Sequence, residues 1–80
     1  MDYTEKDVPV KLHHGEMLTL DDGTIVRFEA NGEAKDVFLD DGFAPTVELF
    51  PSNYHNFTTK DGKNFKVTAF FEDAMLVEKV

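Results

Sequence analysis

The chain has no cysteine, no tryptophan and no Gly-x-Gly, and two of these absences remove a class of function. Without cysteine there is neither a disulfide framework nor a thiolate zinc site. Secreted domains of this size often lean on disulfides, so the composition points to a reducing, cytoplasmic compartment, although a mature chain trimmed of a leader would look the same. The five glycines are dispersed, which excludes a phosphate-cradling loop. No apolar run approaches the roughly 20 residues of a membrane helix. The stretch from Met1 to Asp7 is polar and charged with no apolar segment after it, and reads as neither a signal peptide nor an anchor.

Basic residues are also scarce: 8 against 16 acidic ones, a net charge of −8. Such a surface repels phosphate backbones and anionic lipid, so neither nucleic acid nor membrane is an expected partner. It keeps a small domain dispersed, and it suits a basic protein partner or an inhibitor that mimics nucleic acid.

Eighty residues are room for one β domain, 1–80, with 1–7 reading as a flexible N-terminal segment. A core this small depends on its eight Phe and two Tyr, because each buried Phe contributes about 1.5–3 kcal/mol.

Apolar residues recur with a period of two: Val8, Val10 and Leu12; Leu18 and Leu20; Val26, Phe28 and Ala30; Val47 and Leu49; Phe65, Val67, Ala69 and Phe71. That is the pattern of strands with one buried and one wet face. Met75–Val80 reads as a further strand. No helical period is sustained, and the only helical expectations are single turns at 32–36 and 52–56, the second with Ser52 as N-cap.

Asp-Gly pairs at Asp22-Gly23, Asp41-Gly42 and Asp61-Gly62, with Asn31-Gly32, supply the positive φ that tight hairpins need. The expectation is an all-β fold: a small antiparallel sandwich or barrel of seven to eight short strands, with at most one-turn helices. A Gly15-Glu16 before the strand of Leu18, an Asp-Gly turn and a strand with Val26 and Phe28 resemble, in outline, small bacterial β-sandwich domains of unassigned function. No diagnostic motif carries this likeness, so no residue role follows from it.

The chemistry is thin. Ser52 lies three residues from His55 without a nucleophile-elbow pattern. His13 and His14 are neighbours on a strand, so they point to opposite faces and do not chelate together. Asp21, Asp22, Asp40, Asp41 and Asp61 put carboxylates at loop tips, but none fits the EF-hand register. A Ca²⁺-dependent module using these Asp-rich turns remains the alternative. Asn56-Phe57-Thr58 matches the glycosylation sequon.

The least routine stretch is Phe50–Phe57, three aromatics and a histidine in an expected inter-strand connection. Tyr, Asn, Ser and His are what recognition loops use. The sequence therefore points to a non-enzymatic protein-binding or accessory module, with self-association as one form of it. No cofactor and no metal are expected for it, and its candidate contacts are Tyr54, His55, Phe57 and Phe43.

Overall fold

The alternation seen in the sequence becomes two packed sheets in the computed structural model, which describes residues 2–39 and 44–80. Nine strands are present among these: β1 (Asp2–Thr4), β2 (Val10–His13), β3 (Met17–Thr19), β4 (Ile25–Asn31), β5 (Ala34–Phe38), β6 (Val47–Leu49), β7 (Tyr54–Thr58), β8 (Asn64–Ala69) and β9 (Ala74–Lys79). The first sheet has the order β1-β3-β4-β5-β6 and the second β2-β9-β8-β7. All pairings are antiparallel except β1 with β3.

The core lies between the sheets. Leu12, Leu18, Val26, Val37, Phe65, Val67, Met75 and Val77 are wholly buried, with Phe28 beside them. On β4 and β8 these are alternate residues, as period two requires. The Asp-Gly pairs at 22–23 and 61–62 both close hairpins, with Gly23 at φ 91° and Gly62 at φ 85°.

Of the stretch 1–7, expected as a flexible segment, residues 2–7 form β1 and a 3₁₀ turn at Glu5–Asp7, and two helical expectations are overturned. Thr4 N–H donates to the Asp7 carboxylate at 2.8 Å, and β1 borrows ladder bonds from β3. The helical turn expected at 32–36 is a Gly-containing hairpin followed by β5, because pairing with β4 and β6 outweighs the weak strand preference of Ala34, Lys35 and Asp36.

The turn expected at 52–56 is also no helix. Pro51 and Ser52 occupy the centre of a tight turn closed by Asn53 N–H on the Phe50 carbonyl at 3.0 Å, with Ser52 at φ 73°. Proline followed by a positive φ is type II geometry, and β7 starts straight after it. Asp40, Asp41, Gly42 and Phe43 lie outside the described residues, as does the hairpin expected there.

Candidate functional site

The stretch read as a recognition loop is a strand at the edge of its sheet. β7 pairs with β8 on one side only, and no strand among the described residues pairs with its other side. Its residues alternate: His55 and Phe57 are half-buried, whereas Tyr54, Asn56 and Thr58 are exposed. Phe57 stacks on Phe65 with centroids 5.7 Å apart and packs against the core. Tyr54 is 60% exposed, with the Lys66 ammonium 5.4 Å from its ring centre. Tyr54 and Phe57 therefore point to opposite faces and form no common pocket. Phe43 falls outside the described residues.

What distinguishes this edge is its charge. From Leu49 to Thr59 the chain runs eleven residues without Asp, Glu, Lys or Arg, and no other such run exceeds six. The other free edges differ. β1 and β6 are three residues long and carry Asp2 and Glu48, and β2 carries Lys11. Natural edge strands are usually protected by charge, shortness or proline, and β7 has none of these within it. The uncharged run was visible in the sequence, but its position at an edge was not.

The histidines do not converge. His13 N–H donates to Glu16 at 2.7 Å and its Nδ1 lies 3.3 Å from the same carboxylate oxygen. The His13 backbone N–H holds the Glu16 carboxyl below its ordinary value. His14 meets the edge of Phe28 at 6.3 Å. No hydrogen bond joins Ser52 to His55, and among the described residues no group of three His, Asp or Glu is placed to hold a metal.

Two of the Asp-rich turns do meet, from opposite sheets, and a cation of the chain already sits between their carboxylates. Lys63 Nζ lies 2.7 Å from Glu5, 3.1 Å from Asp21 and 3.4 Å from Asp61. Glu5 and Asp21 push the Lys63 ammonium well above its ordinary pKa. Asp22 accepts the N–H groups of Thr24 (2.9 Å) and Lys60 (2.8 Å), which hold its carboxyl below the usual range and tie the two hairpins together. The Thr59 hydroxyl, on the same hairpin, donates to Asp61 and holds its carboxyl below the usual range. Asp40 and Asp41 lie outside the described residues.

A second acidic feature comes from register alone. Glu29 faces Asp36 and Asp36 faces Glu48 across three adjacent strands, so three carboxylates stand in a row on the outer face of the first sheet. Arg27 reaches Glu29 at 3.4 Å, and the neutral amide of Asn31 donates to Asp36 (3.4 Å) and Glu48 (2.9 Å).

At the end of the sandwich away from Lys63, a cleft of about 590 Å³ opens between the β4–β5 turn and the β8–β9 loop. Its polar groups are partly committed: Lys35, 5% exposed, donates to the Phe70 carbonyl at 2.8 Å, and Glu72 pairs with Lys11. Phe71 stands at its lip, 85% exposed, beside Glu33 and Asp73.

No family model, curated protein or solved structure matches this chain. Among the described residues no helix is long and apolar enough to cross a membrane.

Proposed function

We propose that this chain is a non-enzymatic protein-binding module that engages its partner through the free edge of β7. One observation carries the reading: the longest free edge strand lies in the one long uncharged stretch of a chain with net charge −8. A strand edge binds by completing its ladder, so main-chain hydrogen bonds supply affinity and alternate side chains supply selectivity. On β7 those side chains are Tyr54, Asn56 and Thr58 on one face and His55 and Phe57 on the other.

In the two Asp-rich turns that are described, Asp21 and Asp61 are already held with Glu5 by Lys63, and Asp22 by the Thr24 and Lys60 N–H groups. This favours the edge over the Asp-rich turns as the working surface. The charge balance favours a protein over nucleic acid as partner, and the lack of cysteine suits a reducing, cytoplasmic setting.

Placing a photo-crosslinking residue at position 56, and for comparison at Thr19 on the other sheet, tests the site. Irradiation in the organism's own extract should give a protein adduct of defined mass from position 56 and none from position 19. Equal labelling at both positions, or none at either, removes the edge as the binding surface.

A further inference from the structure

We infer that the strand completing β7 is the β7 of a second copy, paired antiparallel about a two-fold axis through Asn56, so that two four-stranded sheets become one of eight. The inference rests on the protein-binding reading above and names its occupant.

The backbone supplies the first reason. Thr59 N–H donates to the Lys63 carbonyl and Ala69 N–H to the Asn53 carbonyl, and the register pairs His55 with Val67 and Phe57 with Phe65. Ladder bonds in an antiparallel pair fall on alternate residues. The odd-numbered residues therefore turn their N–H and C=O groups towards β8, and Tyr54, Asn56 and Thr58 turn theirs to the open side. A two-fold axis at Asn56 sets Tyr54 opposite Thr58 of the second copy, Asn56 opposite Asn56, and Thr58 opposite Tyr54. All three are then bonded pairs, giving about six new hydrogen bonds with no group left over. The two Asn56 amides, each both donor and acceptor, are self-complementary.

Charge supplies the second reason. Two copies of net charge −8 repel over most of their surfaces, and pairing at β1, β6 or β2 would bring Asp2, Glu48 or Lys11 against itself or a near neighbour. β7 brings no charge. The nearest, Lys66 one strand inward, is paired with Glu78 at 3.3 Å. Its counterpart across the axis would stand three strand spacings away, roughly 14 Å, beyond the screening length of about 8–10 Å.

Pairing also covers what the monomer leaves half-wet: His55 of one copy comes to lie beside Phe57 of the other on the inner face. Two five-residue strands bury less than the roughly 1,200 Å² of a standard stable interface, so the dimer forms and separates with concentration.

Sedimentation and hydrogen exchange on the purified chain, from micromolar to millimolar, test this. The mass should rise from 9.1 kDa towards twice that, and the amides of Tyr54, Asn56 and Thr58 should gain protection in step. Added salt should strengthen the association by screening the like charges. Asn56→Glu places two carboxylates face to face across the axis while each stands opposite Lys66 of its own chain, and should hold the protein monomeric with its fold intact. A millimolar monomer, or a dimer indifferent to Asn56→Glu, overturns the inference. If a millimolar monomer nevertheless crosslinks to another protein from position 56, the broader reading stands and only the second copy falls. No crosslink and no dimer removes both.

Discussion

Carboxylates crowd two places in this molecule, and the two are built differently. At one end of the sandwich Glu5, Asp21 and Asp61 share the ammonium of Lys63. On the outer face of the five-stranded sheet Glu29, Asp36 and Glu48 stand across from one another, with Arg27 reaching the first and a neutral Asn31 serving the other two. The difference follows burial. The Glu5 side chain is 6% exposed, and burying a carboxylate is costly unless a cation and hydrogen bonds accompany it. The row faces solvent, where water and salt do most of that work. A chain with few cations places one where desolvation would otherwise cost most.

Removing the buried carboxylate is the strongest way to break this contrast. Glu5 also accepts the Asp21 N–H at 3.1 Å, and it links the 3₁₀ turn after β1 to the β7–β8 hairpin through Lys63. Glu5→Ala should destabilise the fold by about 2 kcal/mol, the scale for leaving buried hydrogen-bonding groups unpaired. Glu78→Ala, which breaks the half-exposed pair with Lys66, should cost at most about 1 kcal/mol. Denaturant midpoints of the two variants decide the matter: equal losses would mean that burial at Glu5 carries no weight.

The row should respond in the opposite direction. Like charges directly opposite on a sheet destabilise it, and Asp36 is the middle member. Asp36→Lys turns two repulsive pairs into attractive ones and should stabilise by about 0.5–1 kcal/mol. The gain should shrink in molar salt. Unchanged or lower thermal stability at low salt would show that the Asn31 amide already offsets the repulsion.

Neither acidic site could be read from the sequence, and the reason is physical. Period-two alternation exposes the inward face of a strand, so Val10, Leu12, Val26, Phe28, Phe65, Val67 and Ala69 are buried as their spacing requires. Hairpin turns are equally local, and Asp22-Gly23 and Asp61-Gly62 carry their own geometry. The Glu5–Lys63 contact spans 58 positions, and the row depends on how β4, β5 and β6 slide past one another. The same limit applies to β7. Tyr54, His55 and Phe57 were legible as unusual residues, and the structure changes their setting from loop to strand edge. That edge exists because the N-terminal β2 pairs with the C-terminal β9, leaving β7 outermost. The Pro51-Ser52 turn that launches the strand resembled a helix start, since proline and serine serve both.

The smallest expected effect concerns acid, and it separates a carboxylate fixed by hydrogen bonds from one that only faces water. Asp22 accepts the Thr24 and Lys60 N–H groups, which hold its carboxyl below the ordinary 3.8. A carboxyl whose pKa is lower folded than unfolded stabilises the fold fully above the unfolded value, and that contribution fades as pH falls through the folded one. Asp22→Asn should therefore be less stable than the parent at neutral pH, because a neutral amide oxygen accepts those bonds more weakly. The gap should close as pH drops below 3.8, where the parent's own carboxylate takes up its proton. Urea midpoints for both proteins from pH 7 down to pH 2 would trace it. A gap that stays constant over that range would mean that shape, rather than charge, ties the two hairpins together at Asp22.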